Sequence, residues 1–179
     1  IMGTKEHIFE RVCQNILDIV AVRNETKSDC TVGMQMVFQP HYEDQVIPLA
    51  KLAVDLGVDY LIIKHCSDDE FGHIGVEYDA YEDCHPSLRA AEALSTERTA
   101  VKVKWSKIGD KGKRDYARCF GPPFLLQISG TGLIAPCGML FGERYKKFHC
   151  GNIVTERFKD IVFSDRYWEV MNYLRSEDF

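Results

Sequence analysis

The sequence predicts an α/β fold built on a parallel sheet, followed by a smaller region with an antiparallel hairpin. Apolar periodicity over the first 64 residues alternates helix, strand, helix, strand, which is the order of parallel α/β proteins. The apolar run VDYLIIK, residues 58–64, is typical of a strand covered on both faces. Further on, two apolar segments flank the Gly-Thr-Gly of residues 130–132, which predicts a hairpin.

The first predicted element is a helix over residues 5–22, with Thr4 as its N-cap. Its apolar side chains recur at helical spacing and form one face: Ile8, Phe9, Val12, Ile16, Ile19 and Val20. The chain enters this helix almost at once and shows no translation start. We therefore expect it to be a fragment of a longer protein.

A right-handed strand–helix–strand unit is predicted next. Its strands cover residues 31–38 and 58–64, and its helix covers 44–56 and is closed by Gly57. Two strands do not make a stable sheet alone, so either other segments complete it or further strands lie upstream. In the second case the strand at 31–38 keeps an exposed edge, and we expect self-association through that edge.

The charge changes sign along the middle of the chain. Residues 65–88 contain no Lys or Arg and seven acidic residues, which is typical of a solvated loop that leads into a short helix at 86–95. Basic residues crowd 98–118, where TAVKVKWSKI alternates and predicts a strand with Val101, Val103 and Trp105 on one face. In the simplest interpretation the acidic and basic stretches face each other.

A long turn at residues 109–113 predicts a boundary between a domain at 1–108 and a second region at 109–179. The hairpin of that region is predicted to pair residues 124–129 with 133–137. Two helices should follow, one over 156–163 capped by Thr155 and one over 165–176 capped by Ser164.

Composition excludes some classes of function. The formal net charge of −5 argues against a nucleic-acid binder. No apolar run approaches the ~20 residues of a membrane span, and no signal peptide opens the chain. Seven cysteines, an odd number, cannot all pair, so we expect a cytoplasmic protein in which clustered thiols serve metal or redox chemistry.

Cys119 and Cys137 stand at the two ends of the predicted hairpin, and His149 and Cys150 follow. A disulfide, a metal site and unrelated core cysteines all fit this placement. Thiolates are soft ligands that suit zinc or iron–sulfur clusters. The chain has no C-x-x-C pair, so it is not an ordinary zinc ribbon. Two other cysteines, Cys13 and Cys30, are expected to be small buried hydrophobes.

The pattern C-x12-G-x4-C, formed by Cys119, Gly132 and Cys137, resembles the SPASM/twitch region of radical S-adenosylmethionine (SAM) enzymes. The basic strand before this pattern and GNIVTERFKDIVFSDRYWEVM after it extend the likeness. Residues 9–64 look like the second half of the barrel of that family. The resemblance implies an α/β fold in which a partial TIM-like barrel precedes a small hairpin with helices.

For this chain, the resemblance implies an auxiliary iron–sulfur cluster, of the [4Fe–4S] type, bound by Cys119, Cys137 and Cys150. It also implies SAM and a second [4Fe–4S] cluster in the complete enzyme, an electron donor such as a flavodoxin or ferredoxin, and a small-molecule or peptide substrate. The family's C-x3-C-x-x-C motif is absent from this sequence. We therefore expect the chain alone to lack SAM cleavage.

Three polar side chains are candidates for a substrate or cofactor cavity. Gln35 and Gln39 share one face of their strand, which would point inward in a barrel or else lie exposed. Lys64 ends its strand, where α/β barrels place their sites. A zinc site among five further residues is also conceivable: His65, Cys66, His73, Cys84 and His85. The rival function is a zinc-stabilised, non-enzymatic binding module built on the three hairpin cysteines.

Overall fold

The computed structural model describes residues 6–69, 71–113, 119–122 and 124–176. It divides into two compact units, Ile1–Arg114 and Asp115–Phe179. The predicted cap Thr4 lies outside the described residues.

The first unit is a parallel α/β sheet. Its elements, in chain order, are α1 (Glu6–Thr26), β1 (Gly33–Phe38), α2 (Val46–Asp55), β2 (Tyr60–His65), α3 (His85–Glu92), β3 (Ala100–Val103) and α4 (Trp105–Gly109). β1 and β2 are parallel neighbours with α2 between them in sequence, which confirms the predicted pairing. β3 adds in parallel to β2, so the strand order is β1-β2-β3.

The two faces of this sheet differ. One face carries the core: Met34, Met36, Phe38, Leu61, Ile63, Val101 and Val103, against which residues of α1, α2 and α3 pack. The side chains of the opposite face, here called the open face, take no part in that core: Gln35, Val37, Tyr60, Ile62, Lys64 and Lys102. Val37 is 52% exposed although it lies in a parallel strand. Parallel sheets normally have both faces covered, so the open face is unusual.

Within the described residues, side chains and not a further strand bond to the outer edge of β3. The Glu92 carboxylate accepts from the Val103 N–H at 2.9 Å and from the Trp105 Nε1–H at 2.9 Å. The Ser95 hydroxyl accepts from the Val101 N–H at 3.0 Å. We call this the sealed edge. The predicted strand is too long: β3 stops at Val103, and Trp105, whose indole donates to Glu92, is the first residue of α4.

Lys111 joins the acidic and basic stretches. Its ammonium lies 2.8 Å from Asp79 and 2.6 Å from Glu82, which confirms at this point that the two stretches face each other. The two carboxylates raise the pKa of Lys111.

The second unit is built on a small antiparallel sheet. Its elements are β4 (Gln127–Ile128), β5 (Leu133–Ala135), β6 (Gly151–Asn152), α5 (Phe158–Val162) and α6 (Asp165–Arg175), with strand order β4-β5-β6. The predicted hairpin is confirmed, but its strands are shorter than expected. Ser164 caps α6, accepting from the Tyr167 N–H at 3.1 Å, as predicted. Thr155 does not cap α5, whose N-cap is Arg157, and its hydroxyl instead donates to the Asn152 carbonyl.

Candidate metal centre

The small sheet gathers the chain segments that carry the three candidate ligands. Cys119 precedes β4, Cys137 follows β5 and Cys150 precedes β6. Because these strands are antiparallel neighbours, the start of β4, the end of β5 and the start of β6 lie at the same end of the sheet. The Cys150 N–H donates to the Ile134 carbonyl at 2.9 Å, which fixes the last segment against β5.

Cys150 is a core residue. It is 3% exposed and packs with Ile134, Phe148 and Ile161, and its thiol donates to the Phe148 carbonyl at 3.6 Å. Burial raises the pKa of this thiol to about 11, although the positive charge of Arg166 acts in the opposite direction. Metal binding requires the thiolate, so loading Cys150 needs an ion or cluster that displaces its proton.

Cys119 and Cys137 are more accessible. Cys119 is exposed and lines a cavity of about 500 Å³ with apolar neighbours that include Phe120, Phe124 and Met171. Cys137 is half-buried and lies two residues beyond Ala135, the last residue of β5. A turn in which the Leu125 N–H donates to the Gly121 carbonyl separates Cys119 from β4, so neither cysteine belongs to the paired part of the hairpin.

The side chains do not converge on one point in this arrangement. All seven cysteines are free thiols. Within the ranges that the structure describes, no group of three or more His, Cys, Asp or Glu side chains is placed to hold a metal ion. This applies both to the hairpin cysteines and to the zinc site considered around His65 and Cys84.

His149 has the hydrogen bonding that is common in metal-binding histidines. Its Nε2 lies 2.9 Å from the Leu140 carbonyl, which can only accept, so Nε2 carries the proton and the neutral ring keeps a lone pair on Nδ1. Arg166 fixes the same segment by donating to the His149 carbonyl at 3.0 Å and to the Lys147 carbonyl at 2.6 Å. A cavity of about 570 Å³ is lined by His149, Cys150 and Arg166. Sequence reasoning missed Arg166, because nothing in SDRYW marks which carbonyls its side chain reaches.

The candidates of the first unit lie near each other in the sheet but not in one cavity. Gln35 is exposed and shares the open face with the half-buried Lys64, one strand away. Gln39 follows β1 in extended backbone and lines a cavity of about 230 Å³ with His41 and Glu77.

The remaining cysteines have structural surroundings. Cys84 is 2% exposed, and burial together with the Glu43 carboxylate raises the pKa of its thiol to about 11. Cys13 packs against the core of the first unit but is only half-buried, so the expectation that it is buried holds in part. Cys30 is exposed, so the expectation that it is buried is wrong. It lies in the connection between α1 and β1, where neither helical nor strand periodicity places a side chain in the core.

Comparison of the sequence with family models finds no matching family, and comparison with curated proteins finds no similar protein. Among the described residues, no helix has the length and apolar character that crossing a membrane requires.

Proposed function

We propose that this chain is the C-terminal portion of a radical SAM iron–sulfur enzyme and that its second unit binds an auxiliary [4Fe–4S] cluster through Cys119, Cys137 and Cys150. The observation that carries the proposal is the antiparallel sheet, which directs all three cysteine-bearing segments to one end. When bound, such a cluster supplies an electron-transfer or substrate-binding centre whose potential the surrounding protein tunes.

The three cysteines are the right type of ligand for an iron–sulfur cluster, but their side chains are not placed to bind one in this structure. Three thiols are the ligands that iron–sulfur clusters prefer. The described side chains nevertheless form no three-ligand group, and Cys150 keeps its proton in the core. Binding therefore requires the Cys150 thiol to leave the Phe148 carbonyl and the exposed Cys119 segment to close toward it.

In the same proposal the first unit is the end of a partial TIM-like barrel. Its open face corresponds to the barrel interior, where Gln35 and Lys64 would contact substrate or cofactor and Gln39 would lie at the mouth. The sealed edge at β3 supports a sheet that ends there and does not close into a full barrel. The sequence has no C-x3-C-x-x-C, so SAM and the activating cluster would be held by another part of the enzyme.

The proposed partners follow from this chemistry. They are a small-molecule or peptide substrate and a reducing protein such as a flavodoxin or ferredoxin. We place the enzyme in the cytoplasm, because reduced thiols are retained there. β1 is an edge strand within the described part of the sheet, so a second copy is proposed to pair along it.

Anaerobic reconstitution with iron and sulfide tests the proposal. The wild-type chain should become brown and bind both elements, and Cys119→Ala, Cys137→Ala and Cys150→Ala should each lower the iron content. Cys30→Ala is the matched control, because Cys30 is exposed like Cys119 but lies in the first unit. Equal iron content in all four variants would remove the cluster from this unit.

One observation favours a second candidate, a zinc-stabilised binding module. The Leu140 carbonyl holds the His149 ring in the tautomer that leaves Nδ1 available, and three Cys with one His is a common structural zinc set. Metal analysis separates the two functions. Zinc without iron or sulfide, lost in His149→Ala, would replace the enzyme proposal with this one.

A further inference from the structure

A small cavity lies at the carboxyl end of β2, within the first unit. Its volume is about 130 Å³, and its lining includes His65, Ser67, Asp68, Lys107, Asp110 and Lys113. In parallel α/β sheets, ligands bind beyond the carboxyl ends of the strands. The lining residues belong to the first unit and include none of the hairpin cysteines, so the inference below does not depend on the proposed cluster.

His65 is the fixed polar group of this cavity. The residue is 7% exposed, and its ring packs edge-on against Tyr78 and Tyr81, with ring centroids 5.8 and 6.2 Å away. Its Nδ1 lies 2.7 Å from the Cys66 carbonyl. A carbonyl only accepts, so Nδ1 carries the proton and Nε2 of the neutral ring is an acceptor. Because the carbonyl engages Nδ1, Nε2 is the ring nitrogen left to contact a ligand in the cavity.

The charges around the cavity are mostly already engaged. Lys107 lies 3.7 Å from the Asp110 carboxylate. The Asp68 carboxylate accepts hydrogen bonds from three backbone N–H groups at 2.8–3.0 Å. These bonds, that from the Val76 N–H above all, lower the pKa of Asp68. Lys113 has no ion pair within the described ranges. Among the described residues, the cavity therefore brings together the Lys113 side chain, the Ser67 hydroxyl and the His65 ring, whose neutral form presents Nε2 as an acceptor.

The volume of the cavity and the polar groups that line it together indicate which ligand fits. At roughly 30 Å³ per water molecule, the cavity holds about four waters, which suits a tetrahedral oxyanion and not a nucleotide. We propose that it binds a hydrogen phosphate group, free or as a phosphomonoester. The P–OH donates to His65 Nε2, and the other oxygens accept from the Lys113 ammonium and the Ser67 hydroxyl. Sulfate has the same shape but no proton at neutral pH, so it cannot donate to Nε2 of the neutral ring.

Calorimetric titration of the full chain at pH 7 with inorganic phosphate, and separately with sulfate, tests this directly. Phosphate should bind at least tenfold more tightly than sulfate. A parallel titration with glycerol phosphate identifies the source, since tighter binding than free phosphate indicates a monoester. Equal affinity for phosphate and sulfate, or binding of neither, would overturn the proposal.

Two variants locate the site. In His65→Asn the amide can replace Nδ1 as donor to the Cys66 carbonyl while Nε2 is removed, so the fold is kept and phosphate affinity should fall at least fivefold. Lys113→Ala should weaken phosphate similarly, whereas Lys51→Ala, an exposed lysine on α2, should not. If His65→Asn proves unfolded, nitrogen NMR of the wild-type imidazole decides: phosphate should shift the His65 Nε2 signal, and an unchanged signal would refute the site.

Discussion

Removal of the Glu92 side chain should make the first unit easier to unfold, because this carboxylate accepts two of the three hydrogen bonds that close the sealed edge. Glu92→Ala leaves the Val103 N–H and the Trp105 indole N–H without their acceptor. A hydrogen bond to a charged group contributes about 1.5–3 kcal/mol. Glu92 is only half-buried, so water can replace part of each hydrogen bond in the variant. We therefore expect the free energy of unfolding to fall by about 2–4 kcal/mol for the two bonds together.

Urea denaturation measures this loss. With a slope of about 2 kcal/mol per molar urea, the midpoint should fall by about 1–2 M while the slope is unchanged. The chain has two tryptophans, Trp105 and Trp168, in different units. In a Trp168→Phe background, Trp105 fluorescence therefore reports the first unit alone.

Two further variants sharpen the comparison. Glu92→Gln keeps one carbonyl acceptor and should lose about half as much as the alanine variant. Glu97→Ala is the matched control, since Glu97 is exposed and lies just beyond α3. If Glu92→Ala shifted the midpoint no further than Glu97→Ala, the carboxylate would not be what closes this edge.

Three other predictions concern single contacts. Ser164→Ala removes the cap from the Tyr167 N–H and should cost about 1 kcal/mol, while Ser164→Asp should restore most of it in thermal unfolding. Burial raises the pKa of Cys150 to about 11, so little thiolate is present at pH 8. Alkylation at pH 8 should therefore label Cys150 only in denaturant, and labelling of the native chain would contradict this prediction. Gly33→Ala places a Cβ in the Tyr60 ring and should destabilise the sheet, but much less in a Tyr60→Ala background, as a double-mutant cycle would show.

The parallel part of the fold was predictable because its signals are local. The alternation of Met34, Met36 and Phe38 and the apolar run at 58–64 are explained by one buried face, and Gly57 does end α2 with a positive φ of 65°. The stretch after Val103 was not predictable in this way. Its alternation continues through Trp105, but α4 begins there, and Trp105 contacts Glu92, 13 residues earlier, which no local pattern indicates.

For the candidate metal centre, the sequence predicted only the order of the cysteines and strands along the chain. The Gly-Thr-Gly at residues 130–132 predicted the turn correctly, and Gly132 has a positive φ of 81°. Spacing does not determine which way a thiol points. Cys150 lies in the core with Ile134 and Ile161, and these residues come together because β6 pairs with β5 and α5 packs on β6.

The sheet of the first unit can accept an added strand at its β1 edge but not readily at its sealed edge. Aggregation by strand addition needs a free edge on each incoming copy and another free edge on the assembly that receives it. Glu92 and Ser95 occupy the donors of β3 that an added strand would use. Pairing through β1 can therefore join two copies, and the pair then presents two β3 edges at which the N–H groups of Val101 and Val103 are already bonded, so the side chains that stabilise one molecule also oppose further strand addition to this sheet.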